Sequence, residues 1–126
     1  MEKIELIGAK PEDFDDYFRI KDSDSDVFWM GFDGRPDRNK LYDCFMNRTA
    51  DKPLSKSGDK RIYMINVNGR NVGVIQFSLS EEGLEFGISV AESEQGKGYG
   101  SAGMKLAVKE AVKYSDRCFA HIRDDN

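Results

Sequence analysis

Gln95-Gly96-Lys97-Gly98-Tyr99-Gly100 is the stretch on which the reading of this chain turns. Glycines at 96, 98 and 100 open backbone conformations closed to other residues and let a ligand come up against the main chain. Downstream, Met104, Ala107, Val108, Ala111 and Val112 recur at helical spacing, which predicts a helix from about Gly98 to Tyr114 with those residues as its apolar stripe. Lys105, Lys109 and Lys113 fall on another face of it and read as solvent-facing. A glycine loop that opens a helix aims N–H groups and the positive end of the helix dipole at one point, where an anion such as pyrophosphate is stabilised. Lys97 adds a point charge there.

Upstream of the loop the period is two. Arg61–Val67 alternates, Asn68-Gly69 is a hairpin turn, and Asn71–Leu79 and Leu84–Val90 continue as strands joined by Glu81-Glu82-Gly83. These three runs form an antiparallel meander. Nearer the N-terminus, Ile4–Lys10 reads as a short strand that stops at Pro11. Pro11-Glu12-Asp13 then opens a helix whose one face carries Phe14, Tyr17 and Phe18. Asp22–Asp26 and Gly31–Asp37 are loops, and a second helix runs from about Asp37 to Arg48 with Leu41, Cys44 and Phe45 on its apolar face. Arg117–Arg123 is a last strand. The order is β-α-α-β-β-β-α-β, an α/β (α+β) fold with a mixed, mostly antiparallel sheet flanked by helices.

The 126 residues are enough for one domain, 1–126, with one real core. Eight Phe, five Tyr and one Trp argue against disorder. A net charge of −4 disfavours a nucleic-acid or anionic-membrane partner. No apolar run reaches membrane-spanning length, and Met1–Leu6 carries charges where a signal peptide would be apolar, so a cytoplasmic protein is expected. Cys44 and Cys118 lack metal-ligand spacing and read as reduced thiols; no metal is expected.

Taken alone, the glycine run is equally a flexible turn or a dinucleotide loop. A Rossmann loop follows the first strand of a parallel unit near the N-terminus, whereas this one follows the third strand of a meander. A P-loop needs Gly-Lys-Ser/Thr, and Lys97 precedes Gly98. In contrast, Gln95-x-x-Gly98-x-Gly100 resembles the Gln/Arg-x-x-Gly-x-Gly/Ala signature of the GNAT N-acyltransferases. Leu84–Val90 through Ala111 resembles that family's central strand, pyrophosphate loop and following helix, and the element order matches the GNAT fold through its fifth strand.

The resemblance implies an N-acetyltransferase that uses acetyl-CoA and no metal. The amides of Gln95, Gly96, Gly98, Tyr99 and Gly100 would hold the CoA pyrophosphate with Lys97 beside them. The backbone of Ile88, Ser89 and Val90 would extend along the pantetheine arm, and an amide there would stabilise the oxyanion as an amine attacks directly. Ser89 and the cysteines then need no nucleophilic role. A neutral amine needs a base. Glu85, on the central strand, is either that base or an ordinary strand residue, and His121 is either catalytic or structural. The family's general acid, a tyrosine, lies on a helix after the fifth strand, but the sequence stops at Asn126, where the family often has an Asn touching pantetheine. The resemblance therefore implies a truncated chain, or an open sheet edge completed by a second copy in a homo-oligomer.

For the acceptor, residues 11–26 carry the acids Glu12, Asp13, Asp15, Asp16, Asp22, Asp24 and Asp26, which either draw a cationic amine or form a solvated face. Phe28, Trp29, Met30 and Phe32 wall a pocket or pack in the core. Trp29–Arg48 resembles the amino-sugar-nucleotide and ribosomal-protein branches of the family. A small-molecule amine is expected first, a protein amine second. A non-catalytic acyl-CoA-binding module stays open as a different class.

Overall fold

The computed structural model describes residues 3–21 and 38–120. The strands are β1 (Ile4–Gly8), β2 (Lys60–Val67), β3 (Arg70–Ser80), β4 (Gly83–Val90) and β5 (Cys118–Ala120). The helices are α1 (Phe14–Lys21), α2 (Arg38–Met46) and α3 (Tyr99–Ala111), with 3-10 turns at Pro11–Asp13 and Glu92–Glu94. The predicted order holds, and the sheet runs β1-β2-β3-β4-β5. β1 to β4 are antiparallel and β5 joins β4 in parallel. Asn68 (φ 53°) and Gly69 (φ 91°) both sit in left-handed backbone, as a two-residue hairpin turn requires.

Both faces of the sheet are covered. On one, α3 packs Tyr99, Ala107 and Ala111 onto Tyr63, Ile65, Phe77, Leu84 and Phe86. On the other, Phe14, Tyr17, Ile20, Leu41 and Phe45 from α1 and α2 cover Ile62, Met64 and Val74. Each Ile, Leu, Met, Val or Phe among them contributes about 1.5–3 kcal/mol by leaving water. Helices on two sides leave β2 no solvent face, so Ile62–Val67 is buried at all six positions and not alternately. The α3 stripe also differs from expectation. Its buried row is Tyr99, Gly103, Ala107 and Ala111, while Val108 and Val112 are exposed. The small residues of that row let the helix come down closely on Ile65, which lies where a Gly103 side chain would begin. That contact turns the valines outward.

α1 is fixed by specific pairs. Arg38 of α2 lies over the rings of Phe14 and Phe18 and bonds Asp15 at 2.6 Å. Asn71 at the start of β3 donates to Asp16 at 2.9 Å and to Asp13 at 3.2 Å. Three acids of the 11–26 run thus hold α1 in place. Asp22, Asp24, Asp26, Phe28, Trp29, Met30 and Phe32 lie outside the described residues.

Candidate functional site

The loop after β4 is shaped by its own sequence. The strand ends at Val90, and a 3-10 turn over Glu92–Glu94 reverses the chain. Gln95 stays extended, and its side-chain amide donates back to the Val90 carbonyl at 3.1 Å, closing the loop on the strand. Gly96 (φ 82°) and Gly98 (φ 83°) adopt left-handed backbone that other residues enter at a cost. Gly98 is the residue that caps α3, and it brings no side chain to the first turn, whose N–H groups find no acceptor within the helix.

A Cβ at Gly96 or Gly98 would meet nothing within 4 Å, so both glycines face open space. At Gly100 it would make ordinary contacts, 3.5 Å to Val90 and 3.8 Å to Ile88. The fold itself therefore has no packing need for glycine at these positions, and room for a ligand is what their lack of side chains provides. A concavity of about 240 Å³ opens there, between Val90, Glu94 and the loop through Ser101. Donor-rich backbone, a helix N-terminus and a side-chain-free cradle are the features an acyl-CoA pyrophosphate needs, so the residues present fit that group.

Lys97 makes a contact that sequence reading missed. Its ammonium lies 2.8 Å from Glu94, which is 9% exposed. Arg70, from the start of β3, grips the same carboxylate with two hydrogen bonds of 3.1 Å. The bonds from Lys97 and Arg70 hold the Glu94 carboxyl below its ordinary range. The carboxylate in turn raises Lys97 and Arg70, and Tyr99 adds to the effect on Arg70. Two cations on one carboxylate leave a net positive rim beside the loop.

Strand alternation divides β4 between the two faces. Leu84, Phe86 and Ile88 pack on the α3 side. Glu85, Gly87 and Ser89 point to the α1–α2 side. Having no side chain, Gly87 leaves a gap of about 100 Å³ bounded by Tyr17, Ile62, Val74, Gln76 and Ser89. Glu85 is half-buried next to it, with Ser78 as its partner on β3 and Phe119 on β5. β5 pairs with β4 only over Leu84–Phe86, so no described strand pairs with Gly87–Val90 on that side. Ile88, Ser89 and Val90 thus lie between the loop concavity and the Gly87 gap. His121 and Asn126 lie outside the described residues.

Tyr17 and Gln76 were not singled out from sequence as site residues. Gln76 had a signal: counting back from the Glu81-Glu82-Gly83 turn puts it opposite Gly87, as observed. Among the described residues no group of three or more His, Cys, Asp or Glu could hold a metal, and no helix is long and apolar enough to cross a membrane.

A family model described as "Acetyltransferase (GNAT) family" matches residues 28–126. The fold is shared with a spermidine N-acetyltransferase chimera from Vibrio cholerae and hSSAT (TM-score 0.73, 13% identity, covering 98% of this chain and 72% of that one). It is shared too with an aminoglycoside acetyltransferase, AAC(6')-Ib, in complex with coenzyme A (TM-score 0.66, 16% identity, 88% and 68%). An acetyltransferase from Thermus thermophilus is similar as well (TM-score 0.63, 16% identity, 88% and 68%). No curated protein matches the chain.

Proposed function

The chain belongs to the GNAT acetyltransferase family, and from that premise we propose that it moves an acetyl group from acetyl-CoA to a primary amine seated over Gly87. The observation that carries this reading is the position of Gly87–Val90, with the glycine-loop concavity at one end and the Gly87 gap on the α1–α2 face. Donor and acceptor sites would then share four residues of one strand.

Acetyl-CoA supplies the acetyl group in activated form, as a thioester. The amides of Gln95, Gly96, Gly98, Tyr99 and Gly100 bind its pyrophosphate, with Lys97 held alongside by Glu94. The backbone of Ile88, Ser89 and Val90 runs beside the pantetheine arm and offers an amide to the developing oxyanion. Glu85 takes the proton from the ammonium of the acceptor, directly or through a water, because a free alkylamine is almost wholly protonated at neutral pH. The neutral amine attacks the thioester carbonyl directly: the C–N bond forms and the C–S bond breaks. CoA leaves as a thiolate that ends as the thiol with the proton the new amide nitrogen sheds, so no side chain of the enzyme carries the acetyl group. His121 stands as a second candidate base and Asn126 as a further pantetheine contact.

A small-molecule acceptor is favoured because a gap of about 100 Å³ admits an amine and a few carbons. Two of the similar folds act on small amines of this kind, spermidine and aminoglycosides by name. The test is release of CoA thiol from acetyl-CoA against a panel of primary amines, with CoA binding followed by calorimetry. Amine-dependent release is expected. CoA binding with no transfer to any amine would make the chain a binding module, and no CoA binding would remove the reading altogether.

A further inference from the structure

The Gly87 gap does not end at Gln76. Arg48, just beyond α2, donates from Nη1 to the Gln76 Oε1 atom at 2.7 Å. Its backbone carbonyl accepts from the Ile62 N–H at 2.7 Å, and Ile62 lines the same gap. Arg48 is half-buried, and no ion pair among the described residues engages it. On its far side a second concavity of about 300 Å³ opens, lined by Arg48, Lys52, Lys60 and Asp59. Asp59 is occupied there: its carboxylate accepts the Ser55 and Lys56 N–H groups at 3.0 and 3.1 Å, which holds it below its ordinary range. Lys52 faces Asp51 at 3.7 Å, and Lys60 has no ion pair among the described residues. With Lys52 matched to Asp51, the outer cleft sets Arg48 and Lys60 against the one carboxylate of Asp59 and is net positive, and Arg48 is bonded to a residue of the inner gap.

We propose that the acceptor is an amine that also carries an anionic group, a phosphate or carboxylate, with the amine over Gly87 and the anion on Arg48 and Lys60. This rests on the transferase reading and adds the substrate class to it. The two acids of α1 that would attract a polycation, Asp15 and Asp16, are already paired with Arg38 and Arg19. The route from Gly87 across Gln76 to Arg48 spans one to two strand spacings, so the amine and the anion lie roughly 5–10 Å apart. A guanidinium with spare donors recognises a planar or tetrahedral oxyanion through paired hydrogen bonds.

The experiment compares aminobutyl phosphate, aminobutanol and diaminobutane, which share the amine and differ only at the far end. With the whole chain and saturating acetyl-CoA, the phosphate is expected to have a kcat/KM at least about tenfold above the other two. Arg48→Gln should erase most of that preference by raising the KM for the phosphate far more than the KM for aminobutanol, leaving the KM for acetyl-CoA unchanged. Lys60→Gln, at an exposed strand end where folding is not at stake, should give a smaller loss of the same sign. Equal use of the three amines, preference for the diamine, or an unchanged preference in both variants would overturn the proposal. Should CoA bind but no amine be acetylated, the transferase reading fails separately. Calorimetry of aminobutyl phosphate then decides the inference: binding weakened by Arg48→Gln supports it, and no binding, or binding unaffected by Arg48→Gln, rejects it.

Discussion

Replacing Gly98 by aspartate sets the charge of the loop against its conformation. Gly98 sits at φ 83° with nothing within 4 Å of where a Cβ would be, so a side chain there meets strain but no clash. The strain of a non-glycine residue in this region is about 1 kcal/mol, and Asp and Asn are the residues that bear it best. The fold should survive either change with a melting temperature lowered by a few degrees. The carboxylate would stand at the helix start where the pyrophosphate is proposed to bind. Two like charges about 4 Å apart repel by about 1 kcal/mol in water and about 4 kcal/mol near a protein surface. Taking about 2 kcal/mol for this open concavity, CoA binding falls roughly thirtyfold. Gly98→Asn has the same shape and strain without the charge and isolates that term. Calorimetry with CoA should show Gly98→Asn close to the parent and Gly98→Asp much weaker, with the gap narrowing at high salt. Equal affinities for the two variants would refute the placement of the pyrophosphate.

Glu85→Gln keeps the shape of the proposed base and removes its basicity. It should lower kcat roughly 10²–10⁴-fold and flatten the acidic limb of the pH–rate profile, with CoA affinity unchanged; an unaltered profile moves the role to His121 or to water. Glu94 is held below the ordinary glutamate value of 4.5, so its folded form gives up its proton more readily than the unfolded chain does. The stability it contributes is present above about pH 4.5 and is lost as pH falls through the folded value. Glu94→Gln should therefore melt lower than the parent near neutral pH, with the two curves converging in acid; a constant gap would count against the Lys97–Glu94–Arg70 network. Burial pushes the Cys118 thiol up, and both cysteines are free. Mass spectrometry should find two thiols, with Cys118 slow towards alkylating reagents until the pH is well alkaline; a native disulfide or a fast-reacting Cys118 would contradict this.

Most of the fold was legible because its signals are local. Asn68-Gly69 demands left-handed backbone at both positions, and the glycine loop sits between a strand and a helix that each announce themselves by period. What was misread depends on partners distant in sequence. Ile62–Val67 is a partial exception, read as alternating although five of its six residues are apolar, a near-continuous run that marks a strand covered on both faces; which helices cover it is what the segment does not say. The α3 stripe holds at Ala107 and Ala111 but not at Val108 and Val112, because close approach to Ile65 selects the row that runs through Tyr99 and Gly103. At the loop, Glu94 and Lys97 are three apart and the pair could be found by spacing, but Arg70 is 24 residues away. It arrives because β3 runs back antiparallel, with Gly73 beside Val90. Arg48 is hardest to see: at the end of a helical pattern it reads as a solvated cation, and its bonds to Gln76 and Ile62, distant in sequence, are what tie it to the Gly87 gap.

The two proposed half-sites depend on one register. Glu85 and Gly87 face α1 and α2 because the β3–β4 hairpin pairs Ser80 with Gly83, and a slip of one residue would send Glu85 into the apolar α3 core and fill the gap with Phe86 or Ile88. The turn fixes that register with a serine hydroxyl: Ser80 Oγ donates to the Gly83 carbonyl and accepts the Glu82 N–H, both at 3.2 Å. Gly83 is held from the other side as well. A Cβ there would lie 2.5 Å from the Arg117 carbonyl, whose oxygen also accepts the Leu84 N–H at 2.8 Å as β5 begins. The placement of the proposed base, the opening of the gap over Gly87 and the docking of β5 on β4 are thus set at one turn, at the far end of β4 from the glycine loop. Substitutions at Gly83 should disturb transfer before they disturb CoA binding, because the loop has its own closure through Gln95 and its own anchor at Glu94.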